Sequence, residues 1–315
     1  MNFQLVKLLA IFEVENDVMT LPRYKGSTFR GAFGHALKTV ACTCEYKESI
    51  KNHEPYCPYG YMFETSSFEK GGVLQNNDKV PRPFLLEPPL EETVQYQYGD
   101  RISFNLTLYG EAIKFLPFVI FALEEMGKEI GRKNQTIKLR QVFCVDINND
   151  IVKSVYHCED RKLKNEPTIV NLRGFNNNTV NCTRSISIHM KTPVRLKHLG
   201  HYVDLPEFHI ILRSAVRRIT SLLYYHHDQQ KVDEDFKALF KKAEEVRLIK
   251  SDVKWYDWER YSNRQKERMK LGGIIGKATY EGDLNEYISW LQIAEWTHIG
   301  KNPTFGLGKI KVVYH

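Results

Sequence analysis

Hydrophobic spacing along the chain gives one order of elements twice. Residues 2–14 carry apolar positions at strand spacing, with Phe3 and Leu5 first and Leu9 and Ile11 further on. Ser27 reads as the N-cap of a helix reaching about Ala41, whose Phe29, Phe33, Ala36, Leu37 and Val40 form one apolar stripe. Residues 42–81 hold three cysteines, several aromatics and little periodicity, and read as a long irregular insertion. Strands are predicted at 82–87 and 101–109. A helix is predicted over 111–130, deeply buried through Ile113, Leu116, Phe118, Ile120, Phe121 and Leu123. Residues 137–147 and 150–157 read as a strand pair turning at Asn148-Asn149. The polar, asparagine-rich residues that follow read as a linker.

The second half repeats this order. Ser185 to Met190 alternates as a strand. Residues 206–226 and 232–246 read as helices, and 247–256 and 271–280 as strands. Asp283 with Glu286 resembles a capping box opening a helix striped by Leu284, Tyr287, Ile288 and Leu291, and 307–314 closes as a strand. Each half is therefore β-α-β-β-α-β. The predicted class is α+β, with tandem ferredoxin-like (RRM-like) units: 1–160 with the insertion 42–81, a linker at 161–183, and 184–315.

The length of 315 residues suits that pair. The net charge of +7 is unevenly placed. Residues 184–315 hold 23 Lys and Arg against 16 Asp and Glu, whereas residues 1–183 hold 22 of each. A basic half beside a neutral one points to a polyanionic partner, nucleic acid first. No secretory signal is read at the N-terminus, and the longest apolar run, Phe115 to Leu123, contains Pro117 and is too short to span a bilayer. A cytoplasmic protein without a membrane partner is expected, with its six cysteines reduced or metal-bound.

Three stretches carry candidate chemistry. The first runs from His298 to Lys309, His-Ile-Gly-Lys-Asn-Pro-Thr-Phe-Gly-Leu-Gly-Lys. Gly300, Gly306 and Gly308 with Lys301 and Lys309 suit a backbone-rich anion site, and turn glycines in an ordinary helix-to-strand connection account for the same residues. The second is the helix from Ser27. His35 lies half a turn from the apolar stripe and faces outward, with Gly31 at i−4 and Lys38 at i+3. Arg30 and Lys25 lie near the helix N-terminus, which favours anions. Histidine suits proton transfer at neutral pH and a neighbouring lysine suits a developing phosphorane charge, although the spacing equally fits an ordinary surface histidine. The third is Trp255 to Lys270, in which Arg260, Arg264, Lys266 and Arg268 suit RNA phosphates while Trp255 and Trp258 read as core. Arg217-Arg218 extends that basic surface. Cys42, Cys44, Cys57 and His53 can together supply zinc ligands, but their spacing matches no standard finger, so they read first as reduced thiols and no metal or cofactor is expected.

The His298–Lys309 stretch resembles the C-terminal glycine-rich loop of the CRISPR-associated RAMP proteins, more narrowly the repeat-cleaving endoribonucleases that mature guide RNA. Met190 to Leu196, Arg260 to Gln265 with Leu271 to Gly276, Lys25 to Gly34, and Cys57 to Phe63 agree with it. The resemblance implies metal-independent cleavage of CRISPR repeat RNA within pre-guide RNA, by 2′-OH attack leaving 2′,3′-cyclic phosphate and 5′-OH ends. It implies His35 as general base, with Lys38, Arg30 and Tyr24 for charge stabilisation or leaving-group protonation, and His53 as the fallback base. Lys25, Arg217, Arg218, Arg260, Arg264, Lys266, Arg268 and the five glycine-loop residues would then bind RNA. The alternative is a non-catalytic RAMP subunit holding guide RNA in an interference complex. Other CRISPR subunits and a homodimer are compatible partners.

Overall fold

The computed structural model describes residues 2–44, 53, 56–65, 80–128, 130, 135–173, 184–262 and 267–315, with the paired strands at 259–262 and 267–270 given as backbone. The chain divides into two units. The N-terminal unit comprises Asn2–Asn171 with Leu222–Gln229, and the C-terminal unit Leu172–Ser221 with Gln230–His315.

In the N-terminal unit, β1 (Asn2–Val14) is followed by α1 (Gly26–Ala41), β2 (Phe84–Glu87), β3 (Arg101–Tyr109), α2 (Leu116–Met126) and β4 (Ile137–Val145). The antiparallel sheet has the order β2-β3-β1-β4. That arrangement puts β1 at the centre, and eight of its residues, from Phe3 to Val14, are buried. The sheet extends past β4 through β5 (Ile151–His157), which returns across a turn where Asp146 Oδ1 accepts from the amides of Asn148 and Asp150. Asn149 there adopts φ 66°, a conformation asparagine tolerates. Helices α1 and α2 pack together over a core that includes Phe12, Phe29, Phe33 and Phe104.

β6 (Val170–Arg173), which begins in the N-terminal unit, belongs to that unit's sheet. In the C-terminal unit, β7 (Ser185–Val194) is followed by α3 (Phe208–His226), α4 (Phe236–Ala243), β8 (Arg247–Tyr256), β9 (Gly273–Glu281), α5 (Ile288–Thr297) and β10 (Ile310–Tyr314). The sheet order is β8-β9-β7-β10, all antiparallel. Taken in chain order within each unit, the four core strands are arranged 2-3-1-4, the ferredoxin-like arrangement in both cases.

Several predicted details are corrected. Helix α1 begins at Gly26, with Lys25 rather than Ser27 at the N-cap position. Phe118 and Phe121 are 42% and 52% exposed, because α2 turns only one face to the sheet. Val40 lies at the exposed end of α1. Asp283 opens a 3-10 turn at Asn285–Tyr287 instead of a capping box on α5. Part of the predicted linker is sheet: Lys162–Leu163 pairs with β5, and β6 pairs with β1. Trp255 is 38% exposed, since β8 is largely solvent-facing, so it is not core.

Candidate functional site

Helix α1 carries the first group of residues. Its buried positions include Phe29, Phe33, Ala36 and Leu37, which leaves His35 exposed on the outer face as its spacing requires. The carbonyl of His35 accepts from Thr39 Oγ1 at 3.1 Å. One turn on, Lys38 Nζ lies 5.8 Å from the centroid of the Tyr59 ring. The Tyr59 ring is stacked on Phe63, with centroids 5.5 Å apart and planes 9° from parallel. Arg30, two turns before Lys38, holds its guanidinium 5.2 Å from the centre of Phe63. The two cations therefore each lie over one ring of a stacked aromatic pair. Gly34 lies between them at helical spacing and makes the ring contact possible: a Cβ there would fall 2.6 Å from Phe63 Cε1. Tyr59 is the N-cap of a π-helical turn, Gly60–Glu64, and Phe63 lies within it. Sequence reasoning did not assign them to the site, although both lie in the Cys57–Phe63 segment that carried the resemblance.

Two residues read as functional are turned inward. Lys25 is fully buried; its ammonium donates to the Glu91 carbonyl at 2.8 Å and the Arg23 carbonyl at 3.4 Å and lies 5.7 Å from the Tyr96 ring centre. Burial lowers its pKa from the usual lysine value, partly opposed by Glu91 and Glu92. A side chain so enclosed does not contact RNA. Tyr24 is largely buried, at 9% exposed.

The glycine loop of the C-terminal unit is also corrected. Its amides already donate within that unit: Gly300 to Ser214 Oγ at 2.8 Å, Lys301 to the Arg195 carbonyl at 3.1 Å, and Gly306 to the Pro303 carbonyl at 2.7 Å. Gly308 donates to the Pro193 carbonyl at 3.0 Å and Lys309 to Thr192 Oγ1 at 2.9 Å. Thr192 Oγ1 in turn donates to the Gly306 carbonyl, and His298 Nδ1 to the Leu307 carbonyl at 3.0 Å. The glycines serve a backbone-to-backbone fit rather than an anion cradle. Gly308 has φ 80°, and a Cβ there would fall 1.9 Å from the Ile299 carbonyl oxygen. Lys301 remains exposed and Lys309 half-buried.

Of the other basic candidates, Arg217 is exposed, whereas Arg218 donates through Nε to the Thr297 carbonyl at 2.5 Å and so fastens the end of α5. Arg260 and Arg268 lie on the backbone of the paired strands Glu259–Ser262 and Glu267–Lys270. Arg264 and Lys266 lie outside the described residues. A different basic and aromatic group is present in the C-terminal unit. The Tyr202 ring, 40% exposed, has the Arg195 guanidinium 4.2 Å and the Lys197 ammonium 4.9 Å from its centre, and Trp255 6.1 Å away. Trp255 Nε1 donates to Asp257 Oδ1 at 2.9 Å, which fixes the indole. Only Arg195 fell in a segment that the resemblance drew on.

His53, the fallback base, is buried among Cys42, Cys44 and Cys57. Its Nδ1 faces sulfur rather than solvent, 3.5 Å from Cys42 Sγ and 3.7 Å from Cys57 Sγ. That removes it as a general base. No helix among the described residues is long and apolar enough to cross a membrane.

Residues 3–168 match the family model AF_1859_N, described as an N-terminal domain, and residues 188–310 match that of the CRISPR-associated endoribonuclease Cas6. A protein of Archaeoglobus fulgidus described as uncharacterized is 25% identical over 300 residues, covering 93% of this chain and 92% of its own length. A chain of a partial Cas6-RT-Cas1–Cas2 complex aligns with 99% of this chain at 15% identity and TM-score 0.59, and this chain spans 46% of its length. A Cas6 product complex aligns over 98% at 14% identity and TM-score 0.57, with all of that chain covered. Thermus thermophilus Cas6 aligns over 99% at 13% identity and TM-score 0.54, with 99% of that chain covered. At these identities the structural likeness is one of fold.

Proposed function

The chain belongs to the AF_1859_N family and is Cas6-like in its C-terminal half, and from this and the α1 geometry we propose that it is an endoribonuclease cleaving CRISPR repeat RNA to mature guide RNA. The observation that carries the reading is His35, exposed on α1 with Lys38 one turn away. In the proposed reaction, the His35 imidazole removes the proton of the ribose 2′-OH. The 2′ oxygen attacks the adjacent phosphorus, and the bond to the 5′ oxygen breaks as that oxygen takes a proton from water, the proton held by His35 returning to solvent. The products are a 2′,3′-cyclic phosphate and a 5′-hydroxyl end. Lys38 and Arg30 are cations placed to offset charge on the pentacoordinate phosphorane. Their aromatic seats restrict the rotamers of two long side chains, so less freedom is lost when the transition state forms. Tyr24 and Lys25 have no part in this reading. No step uses a metal ion.

RNA contacts are assigned to the C-terminal unit. Lys301, Lys309 and Arg217 offer charge to phosphates. Tyr202 and Trp255, with Arg195 and Lys197 against the tyrosine, form a stacking platform for unpaired bases. Arg260 and Arg268, in the paired strands Glu259–Ser262 and Glu267–Lys270, are further candidates for RNA binding. Other CRISPR proteins as partners belong to the same proposal.

The test is single-turnover cleavage of end-labelled repeat RNA in EDTA, with end-group analysis. Cyclic phosphate and 5′-hydroxyl products are expected from the wild type. His35→Ala is expected to lose at least about 100-fold in rate with RNA affinity retained, the scale of a lost general base. Wild-type rates in that variant would end the His35 assignment, and tight binding without any cleavage would favour a guide-RNA-holding subunit.

A further inference from the structure

We infer that Cys42, Cys44, His53 and Cys57 form a structural zinc site that fixes the C-terminal end of α1 against the segment carrying Tyr59 and Phe63. All four side chains are buried, and each offers a ligand atom lying within 4.8 Å of every other. A tetrahedral zinc ion with zinc–sulfur bonds of about 2.3 Å and a zinc–nitrogen bond of about 2.0 Å sets ligand atoms roughly 3.5–3.8 Å apart. The two sulfur-to-imidazole distances, 3.5 and 3.7 Å, already match. The widest separation closes by about 1 Å on binding, which these side chains achieve by small rotations.

The local structure is shaped around this cluster. A buried imidazole nitrogen ordinarily faces an oxygen or a water, because thiols are weak hydrogen-bonding groups. Here His53 Nδ1 faces two sulfurs at once. Gly60 leaves room for His53: a Cβ there would fall 2.3 Å from His53 Cβ. The Gly60 amide points at Cys57 Sγ at 3.4 Å, the kind of donor that orients a metal-bound thiolate. The Tyr59 ring meets the His53 ring edge-on at 5.2 Å.

The donor set decides the ion and the role. Three thiolates and one imidazole in a closed cluster select zinc over the hard cations, and four protein ligands leave no position for water or substrate. The site therefore does not perform the chemistry. Its effect is positional. Cys42 is the C-cap of α1, its amide donating to the Lys38 carbonyl at 3.2 Å, and Cys57 leads into the turn that holds Tyr59 and Phe63. A metal bridging these two points ties the aromatic pair to the helix whose cations lie over it. The inference stands whether or not the chain cleaves RNA.

The experiment is elemental analysis of untagged full-length protein purified without added metal, followed by metal removal under reducing conditions and titration with Co2+. About one zinc per chain is expected. Cobalt should give the absorption of a tetrahedral thiolate site, with sulfur-to-metal charge-transfer bands that Zn2+ then abolishes. Cys42→Ser and His53→Ala should lower Co2+ affinity at least 10-fold, while Cys144→Ser, at a buried thiol outside the cluster, should not. Because a ligand variant can misfold, the wild type is also melted with and without metal; Zn2+ and not Mg2+ should restore the melting temperature lost on removal. Protein purified with no zinc and giving no charge-transfer band with Co2+ would overturn the site. So would a disulfide between any two of the three cysteines, found by mass spectrometry of protein handled anaerobically.

Discussion

Phe63 occupies the space that a side chain at Gly34 would fill, its Cε1 lying 2.6 Å from where that Cβ would be built. This is what allows the aromatic pair to lie against α1 with Arg30 over one ring and Lys38 over the other. Gly34→Ala is expected to destabilise the protein by about 1–2 kcal/mol, because a displaced core ring costs more than the helix propensity gained. Gly31→Ala is the control on the same helix. Nothing lies within 4 Å of its Cβ position, so it should be neutral or stabilising by up to about 1 kcal/mol. Urea melts of the two variants check both signs.

Lys38 is expected to act in the transition state. Lys38→Met should lower the single-turnover rate by roughly 10²-fold with little change in RNA affinity, the scale of a lost charge-stabilising donor. Tyr59→Leu removes only the seat. It should cost about 0.5–1 kcal/mol, a 2- to 5-fold slowing, and have no further effect in a Lys38→Met background. An additive loss in the double variant would show that Tyr59 acts otherwise than through Lys38.

The glycine loop should behave as structure. Gly308→Ala forces an L side chain into φ 80° and against a carbonyl oxygen, and should cost on the order of 2–4 kcal/mol in stability. Lys301→Ala should leave the melting temperature unchanged while reducing the salt slope of RNA binding by about 1, as for one lost phosphate contact. Fluorescence anisotropy across a salt series separates the two effects.

Tyr202 is expected to stack on a base. Tyr202→Ala should weaken single-stranded repeat binding by about 1–3 kcal/mol, whereas Arg217→Ala should act mainly through salt dependence. Equal affinity for wild type and Tyr202→Ala at every salt concentration would remove the stacking platform.

The buried Lys25 makes stability depend on pH in a stated direction. Its folded-state pKa is lowered by burial, so between that value and the ordinary lysine pKa the unfolded chain holds more protons. Stability from this group is therefore gained as pH rises through that window, not lost. The wild type should gain on Lys25→Met as pH rises toward the usual lysine value of about 10.4, measured as the difference in melting temperature. A constant difference would mean that Lys25 titrates normally.

Periodicity in the sequence determined both ferredoxin-like units, the positions of their main helices and strands, and the outward face of His35. These follow from local rules: alternation sets which strand residues meet a core, and a 3.6-residue repeat sets which helix residues cannot. The uneven charge likewise located the basic unit without coordinates. Only the tertiary structure decided what the polar groups do. Lys25 reads as a cation ready for phosphate, yet its ammonium is held by the carbonyl of Glu91, 66 residues away in sequence, and by that of Arg23. The glycine loop reads as free amides, yet Ser214, Arg195, Pro193 and Thr192 take their hydrogen bonds. Cys42, Cys44, His53 and Cys57 match no familiar spacing, yet the fold brings their donor atoms together. Hydrogen-bond partners and ligand sets are contacts between distant segments, and no local period encodes them.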